Sequence, residues 1–357
     1  MQIFDSIVIG AGQAGLSASY HLSRLGLGHV VLDADASPGG AWQHRWDSLT
    51  MRDVHGVAAL PDSRSPAGPD GQANAVVPDY FAEYERTHQL PVLRPVRVDA
   101  VRNESSGAGE LLVTRSGDRT WLSRTVVNAT GTWSRPFVPH YPGMENFAGE
   151  QLHTVDYPGP EHFRGRRTVV VGGGASAIQF LGELAPVTET LWVTRREPVW
   201  RSTDFTQDAG RAAVALVEER VRRGLPPASV VSVTGLALRE QEREAERLGA
   251  YRRRPMFSSV EPAGVRFDDG SAEPADVILW ATGFRPAVAH LAPLHLRSAL
   301  GGIALDGTTA VADPRIQLVG YGPSASTIGA NRAGRTAARG VADWVRRHAV
   351  DGIGAAG

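Results

Sequence analysis

A glycine-rich loop between a strand and a helix occurs twice in this chain, and the repetition constrains the fold more than any other feature. The first copy, residues 10–15, reads GAGQAG, a complete G-x-G-x-x-G between an apolar run and a helical run. The second copy, residues 172–177, reads GGGASA in the same context. A second strand-like run follows each copy, which completes a βαβ unit. Two such units predict an α/β protein with two Rossmann-like dinucleotide-binding domains built on largely parallel sheets.

The first loop has the features of a site for a dinucleotide with an unphosphorylated ribose. Its glycines permit a tight turn and a close approach of the backbone to a diphosphate, and the following helix presents N–H groups to the phosphates. Asp33 ends the next strand, 23 residues after Gly10. An acid at about this distance is expected to accept a hydrogen bond from the ribose 2′-OH.

The second loop differs from the first at the corresponding positions. Ala177 replaces the third glycine and still permits close packing, and no acid follows at the expected distance. Arg195 and Arg196 stand there instead, again 23 residues after Gly172. Two guanidinium groups suit a ribose 2′-phosphate, whereas an acid would repel it. The second loop therefore predicts NADPH, and the alternative is that both arginines are ordinary surface charges.

Composition excludes several classes of protein. The 357 residues contain no cysteine, which rules out disulfides, thiolate metal sites and a redox-active dithiol, and we predict no metal site. With 37 basic and 38 acidic residues, the net charge of −1 does not favour a nucleic acid or an anionic membrane as partner. We find no signal-peptide pattern and no apolar run of about 18 residues. We therefore expect a soluble, cytoplasmic protein.

The order of the segments predicts one domain inserted into the other. Residues 1–160 and 285–357 are predicted to form the first domain, because a last strand and helix must return to the first sheet. Residues 161–284 are predicted to form the second. Within the second domain, the stretch of about 204–254 is rich in Arg and Glu with helical periodicity. A solvated helical insertion is one interpretation of this stretch, and a partial lid over a substrate site is the other.

Five further motifs carry a resemblance to a known family. They are Gly39-Gly40-Ala41-Trp42, residues 45–49 (RWDSL), Ala129-Thr130-Gly131, residues 281–286 (ATGFRP) and residues 147–157. The last fits the pattern F-x-G-x-x-x-H-x-x-x-[aromatic] through Phe147, His153 and Tyr157. Together these motifs resemble the flavin-containing monooxygenases, in particular the short bacterial members, over nearly the whole chain. The pattern at residues 147–157 separates that family from the disulfide reductases that share its fold, and the absence of cysteine agrees.

The resemblance implies a fold, two cofactors and a reaction. The fold is glutathione-reductase-like, with FAD bound by the first domain and NADPH by the inserted one. In this family NADPH reduces FAD, O2 adds at flavin C4a to give a hydroperoxide, and the retained NADP⁺ shields it. A small soft nucleophile such as a sulfide or amine then takes an oxygen atom, and some members convert ketones into esters. The cofactors carry this chemistry, so no protein nucleophile is required. Some short members accept NADH, which we expect here as the poorer cosubstrate, and a homodimer is compatible with the family.

Motifs and resemblance together define the candidate site residues. The predicted FAD-binding residues are Gly10, Gly12, Gln13, Gly15, Asp33, Gly39, Gly40, Trp42, Val98, Ala129, Thr130, Gly131, Gly322 and Thr327. The predicted NADPH-binding residues are Gly172, Gly174, Ala175, Ser176, Ala177, Arg195, Arg196, Ala281, Thr282 and Gly283. Gly322 and Thr327 are included because the helix that begins there would point its N-terminus at the flavin.

Catalytic residues are not identified by the sequence. Arg52 and Asp53 are weak candidates, because many family members have small polar residues and a proline at the corresponding place. An internal salt bridge between Arg52 and Asp53 is the favoured interpretation, and contact with the flavin is the alternative. Two other functions remain open at this level. One is a reductase or oxidase that uses the same cofactors without oxygenating a substrate, and the other is a nucleotide-binding sensor without catalysis.

Overall fold

The strands form two large sheets, each built around a parallel βαβ unit. The computed structural model describes residues 2–54, 57–66, 68, 70–106, 109–201, 207–227, 236–237 and 240–349. The strands are β1 (Ile3–Ile9), β2 (His29–Leu32), β3 (Val92–Leu93), β4 (Ala100–Ser106), β5 (Gly109–Ser116), β6 (Arg119–Asn128), β7 (Glu150–His153), β8 (Thr168–Val171), β9 (Thr190–Thr194), β10 (Trp200–Arg201), β11 (Leu236–Ala237), β12 (Arg253–Pro255), β13 (Ser259–Glu261), β14 (Gly264–Arg266), β15 (Ala272–Pro274), β16 (Val277–Trp280), β17 (Leu305–Asp306), β18 (Thr309–Ala310) and β19 (Ile316–Leu318). The helices are α1 (Gln13–Arg24), α2 (Ala73–Thr87), α3 (Ala175–Leu184), α4 (Gln207–Arg222), α5 (Glu240–Arg247) and α6 (Thr327–Ala349).

The first sheet has the order β17-β18-β19-β6-β1-β2-β3, with β4 and β5 joined to β6 as an antiparallel ribbon. Strands β19, β6, β1, β2 and β3 run parallel to one another. Because β19 pairs with β6, the C-terminal part of the chain does return to the first sheet, as the sequence predicts. The final helix α6 then packs against α1 closely enough that a Cβ on Gly334 would lie 2.5 Å from Ser17 Oγ.

Strand β1 is buried on both faces, as expected of a central parallel strand. Val8 belongs to a hydrophobic core that includes Leu16 of α1 and Ala337 of α6. Its neighbours Ile7 and Ile9 point to the opposite face and pack in a second core with residues of the β4–β5 ribbon and of the segment 288–305. The alternation follows the period of two of a strand. The first glycine loop begins at the carboxyl end of this central strand.

The second sheet is entirely parallel, with the order β12-β9-β8-β16-β7. Helix α3 connects β8 to β9 and packs on one face, where Phe180 and Trp192 are fully buried. An antiparallel meander of β13, β14 and β15 covers the other face through Val260 and Val265. The predicted duplication of the βαβ unit is therefore present in the structure.

One predicted domain limit needs correction. The sequence places residues 150–153 in the first domain, whereas β7 is an edge strand of the second sheet and pairs Leu152 with Leu279 of β16. This strand has only four residues and no clear alternation of polar and apolar side chains, so the sequence pattern does not indicate a strand there. The second sheet therefore starts before residue 161.

The predicted insertion at 204–254 is helical only in part. Helix α4 agrees with the prediction, but Leu236–Ala237 form the short strand β11, Glu240–Arg247 form α5, and Arg253 and Arg254 already belong to β12 of the second sheet. Val221 of α4 is buried in the core of the first domain, so this helix packs on protein and is not simply solvated. Residues 204–206, 228–235 and 238–239 of the insertion lie outside the described residues, as do residues 202–203 before it. Within the described part of the chain, no helix combines the length and the apolar character that a bilayer span requires.

Candidate functional site

A cleft of about 450 Å³ opens at the carboxyl ends of β1, β2 and β6. Ligands of open α/β sheets bind at this edge, and the volume falls within the ~300–1,000 Å³ usual for small-molecule sites. Most of the predicted FAD-binding residues line the cleft. They are Gly10, Gly12, Gln13, Asp33, Gly40, Trp42, Val98, Ala129, Thr130 and Gly131.

The glycines of the first loop have different tasks. Gly10 adopts a φ of 98°, and a Cβ there would lie 2.7 Å from the carbonyl oxygen of Ala129. A Cβ on Gly15 would lie 1.9 Å from the carbonyl oxygen of Gly10, so this residue holds α1 against the loop and does not line the cleft. A Cβ on Gly12 would meet no atom within 4 Å. Gly12 is the N-cap of α1 and no side chain caps the helix, which leaves its first N–H groups for a phosphate.

Asp33 is held at the cleft wall by two residues that the sequence did not single out. Its Oδ2 accepts a hydrogen bond of 2.8 Å from Arg94 Nε, and the same guanidinium donates two bonds of 2.7 Å to Glu85. Burial raises the pKa of Asp33, and the ion pair with Arg94 opposes this shift. Asp33 is 5% exposed, so the carboxylate has a fixed orientation at the place where a ribose hydroxyl is expected.

Two polar groups at the cleft are buried without a protein partner. Gln13 Oε1 accepts no hydrogen bond, although its Nε2 donates to the carbonyl oxygen of Ala58 at 2.7 Å. Arg45 lines the cleft with its Nε unpartnered, and its guanidinium lies over the rings of Trp133 at 4.3 Å and of Trp42 at 5.5 Å. Within the described residues no carboxylate pairs with Arg45. Burial lowers the pKa of Arg45 to about 10, so it remains a cation at neutral pH.

An unpaired buried cation is costly unless an anion compensates it. Gly40, which precedes Arg45 in the same turn, lies so close to Gly12 that its Cβ would be 2.9 Å from the Cα of Gly12. The cation and the uncapped N-terminus of α1 thus border the same cleft. A dinucleotide diphosphate fits this combination of a free guanidinium, free helix N–H groups and an open glycine. The sequence showed Arg45 only as part of the RWDSL motif, because its lack of a partner is a property of the tertiary structure.

His290 is a neutral side chain at the cleft wall. Its Nε2 lies 2.7 Å from Asn128 Oδ1, and the Asn128 amide donates in turn to Thr130 Oγ1 at 3.2 Å. The Thr130 hydroxyl donates to the carbonyl oxygen of Ala287 at 2.6 Å. Burial lowers the pKa of His290 to about 4, which makes Nε2–H the donor to Asn128 at neutral pH. This network connects the end of β6 to the segment that follows β16.

We expect the stability of the protein to fall between pH 6.5 and pH 4 because of His290. The unfolded chain protonates this histidine near pH 6.5, whereas the folded protein resists protonation until about pH 4. The native state therefore binds fewer protons in this window, and the contribution lost by pH 4 is roughly 3 kcal/mol. Denaturant unfolding of wild type and His290→Gln at pH 7 and pH 5 checks this. The variant is expected to lose less stability than wild type on acidification, and equal losses would contradict the assignment.

The predicted place of Gly322 at the cleft needs correction, and the predicted contact of Thr327 falls on a side chain outside the described part of the structure. Gly322 does not line the cleft. It faces α4 instead, since a Cβ on Gly322 would lie 2.7 Å from Val221 Cγ2. Gly320 and residues 324–326 form this part of the wall instead. Helix α6 begins at Thr327, whose side chain lies outside the described part of the structure. Its N-terminus borders the cleft through Ser326 and Ala330, in agreement with the predicted direction of this helix.

Arg52 and Asp53 do not form the expected salt bridge with each other. Arg52 NH2 pairs with Asp70 at 3.1 Å on the surface, where both side chains are exposed. Asp53 Oδ2 accepts hydrogen bonds from the backbone N–H and the hydroxyl of Thr50, at 3.2 and 2.6 Å. Neither residue lines the cleft, so their candidacy as catalytic residues is not supported. Gly39 is also outside the wall, and a Cβ there would lie 2.8 Å from Pro78.

The second glycine loop repeats the geometry of the first. A Cβ on Gly172, which has a φ of 143°, would lie 2.2 Å from the carbonyl oxygen of Ala281, just as Gly10 approaches Ala129. Ala177 is fully buried in the place of the third glycine. Gly174 is the N-cap of α3, without a side-chain cap, and a Cβ there would meet no atom within 4 Å. Ala175 and Ser176 form the first turn of this helix.

Three arginines meet at the end of β9. Arg195 and Arg196 follow the strand directly and are exposed, and within the described residues neither forms an ion pair. Arg253 of the neighbouring strand β12 donates from Nε to Thr194 Oγ1 at 2.7 Å and from NH2 to the carbonyl oxygen of Thr194 at 3.2 Å. The sequence did not identify Arg253, because it fell within the predicted insertion. The arrangement agrees with the predicted site for an anionic ribose substituent.

The chain crosses between the two sheets at residues 129–137 and again at 281–287. The two crossings are hydrogen bonded to each other: Phe137 N–H donates to Gly283 O at 3.0 Å, and Ala287 N–H donates to Gly131 O at 2.9 Å. The Thr282 hydroxyl also donates to the carbonyl oxygen of Phe137. The aromatic rings of Trp133 and Phe284 stack at 5.0 Å, and both residues line the cleft.

The motif at residues 147–157 supports this connection and does not line the cleft. His153 Nε2 lies 3.0 Å from the carbonyl oxygen of Gly283, and its ring contacts that of Phe284 edge-to-face at 5.1 Å. Burial lowers the pKa of His153, so the ring is neutral and donates this bond. Phe147 packs in the core of the second domain. The structure therefore favours the interpretation that these residues hold the interdomain segment.

Known proteins match this chain along most of its length. The family model described as pyridine nucleotide-disulphide oxidoreductase matches residues 7–310. A solved flavin-containing monooxygenase from Stenotrophomonas maltophilia is 38% identical, covers 96% of this chain and 99% of its own, and superposes with a TM-score of 0.81. An indole-3-pyruvate monooxygenase of Oryza sativa subsp. japonica is 27% identical over 79% of this chain and 77% of its own length. A Baeyer-Villiger monooxygenase of Streptomyces coelicolor is 29% identical over 61% of this chain and 42% of its own.

The fold and the two glycine loops define a flavoprotein with two dinucleotide sites. The chain belongs to the pyridine nucleotide-disulphide oxidoreductase family and, within it, to the flavin-containing monooxygenases. It is an oxidoreductase that uses a flavin and a pyridine nucleotide. The predicted fold class and the predicted family resemblance are thereby confirmed. The absence of cysteine in the full sequence removes the dithiol chemistry that the family description mentions.

Proposed function

We propose that this enzyme binds FAD in the cleft of the first domain and NADPH at the second glycine loop, and transfers one oxygen atom from O2 to a small soft nucleophile. Sulfides and amines are the proposed substrates, with ketones as a further class. In the overall reaction, NADPH, a proton, O2 and the substrate give NADP⁺, water and the oxygenated product. The observation that carries the proposal is the cleft itself, where a half-buried guanidinium without a carboxylate partner among the described residues, an uncapped helix and a fixed acid fit one dinucleotide.

The first domain supplies a separate group for each part of FAD. The N-terminus of α1 at Gly12 and the guanidinium of Arg45 would hold the diphosphate, because both offer donors without a protein partner. The carboxylate of Asp33, oriented by Arg94, would accept a hydrogen bond from the ribose. Ser326 and the N-terminus of α6 line the cleft near the crossings and would favour negative charge there. The flavin, when bound, supplies electron transfer from NADPH and the activation of O2.

The second domain offers an equivalent set for NADPH. The uncapped N-terminus of α3 at Gly174 would hold the diphosphate, and Arg195 with Arg196 would bind the 2′-phosphate. Trp133 and Phe284 stack at the crossings and line the first cleft, and the second glycine loop adjoins the second crossing, where Gly172 approaches Ala281. These aromatic rings would exclude water and contact a small, partly apolar substrate. Ketones are included because a relative is named a Baeyer-Villiger monooxygenase.

The proposal is tested by following the oxygen atoms. Purified protein with bound FAD is incubated with NADPH, ¹⁸O2 and panels of thioethers, tertiary amines and cyclic ketones, while hydrogen peroxide is measured in parallel. We expect at least one class to give a product that carries one ¹⁸O atom, in proportion to the NADPH consumed. If all NADPH consumption appears as peroxide with every class, the protein is an oxidase and the proposal fails. A protein that contains no FAD or consumes no NADPH would contradict the cofactor assignment as well.

A further inference from the structure

Glu183 lies in the last turn of α3 and accepts three hydrogen bonds from residues that are not part of the second βαβ unit. Trp46 Nε1 donates to Oε1 at 3.1 Å, Ser48 Oγ donates to Oε2 at 2.7 Å, and Tyr157 Oη donates to Oε2 at 3.0 Å. We refer to Glu183 and these three donors as the Glu183 bridge. Trp46 and Ser48 belong to the first domain, whereas Tyr157 lies between β7 and β8 of the second sheet.

The Glu183 bridge lies against a largely apolar core, and Glu183 and Ser48 are themselves half-buried. Trp46 is 6% exposed, Tyr157 is 5% exposed, and Phe180 of α3 is completely buried between them. The ring of Tyr157 stacks on that of Phe180 at 4.2 Å, and the ring of Trp46 lies 4.8 Å from it. Burial raises the pKa of the Glu183 carboxyl, although the three hydrogen bonds oppose the shift. Hydrogen bonds are stronger where water is largely excluded, and loss of their common acceptor would leave the donors of two buried residues, Trp46 and Tyr157, without this partner.

The same helix that carries Glu183 also forms the second nucleotide site. Gly174 is the N-cap of α3, and Glu183 follows nine residues later, a distance of about 13 Å along a rigid helix. On the other side, Trp46 follows directly after Arg45, which lines the flavin cleft. The Glu183 bridge thus joins the helix of one nucleotide site to the wall of the other, because Trp46 is the residue next to Arg45.

A second hydrogen bond also joins α3 to the first domain. Gln179 lies one turn before Glu183, and its Nε2 donates to the carbonyl oxygen of Asp53 at 3.0 Å. Both polar side chains on this face of α3 are therefore bonded to the segment 46–53. Domains within one chain move relative to each other unless their interface prevents it. This face of α3 supplies specific bonds that oppose such movement near the cofactors.

We propose that Glu183 is a positioning residue that fixes the second domain at the distance required for hydride transfer from NADPH to FAD. The inference rests on the proposed function of the two sites. In that step NADPH loses a hydride, which is a proton with two electrons, and FAD gains it. Reacting atoms must lie about 3–3.5 Å apart, and a displacement of about 1 Å costs up to ~100-fold in rate. Glu183 touches neither the flavin cleft nor the second glycine loop, so its effect passes through Trp46, Ser48 and Tyr157.

The first experiment separates alignment from binding. FAD-loaded wild type, Glu183→Leu and Glu183→Gln are mixed with NADPH without oxygen, and the rate of flavin reduction is measured across NADPH concentrations. We expect Glu183→Leu to lower the limiting rate at least ~10-fold, while half-saturation by NADPH and the FAD content stay near wild type. Glu183→Gln should recover much of the rate, because its amide accepts one bond and donates to a hydroxyl. Glu189→Leu is the matched control. Glu189 is exposed and lies just before β9, in the loop that follows α3.

The second experiment reads the Glu183 bridge without turnover. Amide hydrogen exchange is measured on the FAD-loaded proteins at Leu49 and Met51, whose N–H groups bond to Trp46 O and Gly71 O at 3.1 and 2.9 Å. Glu183→Leu is expected to exchange faster at both amides, whereas Glu189→Leu should match wild type. If Glu183→Leu does not fold, the double variant Ser48→Ala/Tyr157→Phe removes two donors and carries the same expectations for rate and exchange.

The outcomes are distinct. An unchanged limiting rate in folded Glu183→Leu overturns the positioning role, and so does a weaker NADPH affinity with an unchanged limiting rate. A rate that falls only in proportion to lost FAD shows a general structural role and also overturns it. A wild-type protein whose flavin is not reduced by NADPH contradicts the proposed function itself. A rate loss with retained FAD, accompanied by faster exchange at Leu49 and Met51, supports the inference.

Discussion

Gly12→Val is expected to abolish FAD binding while the protein remains folded. Gly12 has a φ of −79°, which any residue adopts, and a Cβ there meets no protein atom within 4 Å. The added side chain would therefore occupy only the space in which we place the diphosphate. Loss of two hydrogen bonds to a charged group, at about 1.5–3 kcal/mol each, weakens binding at least ~100-fold. Flavin absorbance of the purified variant and titration of the apoprotein with FAD measure the effect.

The two glycine loops provide matched controls for this experiment. Gly174→Val introduces the same side chain at the equivalent open position of the second loop, so it should impair NADPH binding and leave FAD bound. Gly15→Ala should damage folding as well as FAD binding, because its Cβ would lie 1.9 Å from Gly10 O. Circular dichroism and thermal unfolding separate these cases. A folded Gly12→Val protein with a full complement of FAD would show that the diphosphate lies elsewhere.

The double variant Arg195→Ala/Arg196→Ala is expected to lose the preference for NADPH over NADH. Both side chains are exposed, so their removal should cost little stability. They are expected to bind only the 2′-phosphate, which NADH lacks. We expect kcat/KM for NADPH to fall roughly 10- to 100-fold, the effect of one or two charge-assisted bonds, with the value for NADH nearly unchanged.

The control for this variant is an exposed arginine pair far from the site. Arg346→Ala/Arg347→Ala alters the last turn of α6 and removes the same charge. It should leave the ratio of the two kcat/KM values at the wild-type level. If the Arg195/Arg196 variant also keeps that ratio, these arginines are surface charges, and the remaining cation at the end of β9 is Arg253.

Short sequence patterns predicted those parts of the candidate site that lie within a single βαβ unit. The glycine loops, the strand-ending Asp33 and the paired Arg195 and Arg196 follow from spacing within one βαβ unit, because the geometry of that unit fixes where they lie. The duplication of the unit predicted two sheets, and the structure has both. The motif at residues 147–157 predicted the family without revealing that its histidine bonds the second crossing.

The parts that could not be predicted depend on contacts between distant segments. Arg45 is distinctive only because no carboxylate reaches it among the described residues, and Glu183 only because its donors come from residues 46, 48 and 157. Gly322 does not line the cleft, and α4, more than a hundred residues earlier, occupies the space beside it. The expected pair of Arg52 and Asp53 failed because neighbours in sequence need not face each other, and each found another partner.

The paired crossings have a consequence for how such an enzyme changes over evolutionary time. The second domain leaves the first sheet and returns to it through two segments that lie side by side and bond to each other at Gly131, Phe137 and Gly283. Its two ends therefore nearly coincide, the geometry in which a domain is most readily inserted into another chain. The pyridine-nucleotide module would thus be exchangeable as a unit by recombination, with a new cosubstrate preference acquired in a single step. Such a newcomer would still have to reproduce the contacts of α3 with residues 46–53 and the packing of Val221 in α4 against the first domain.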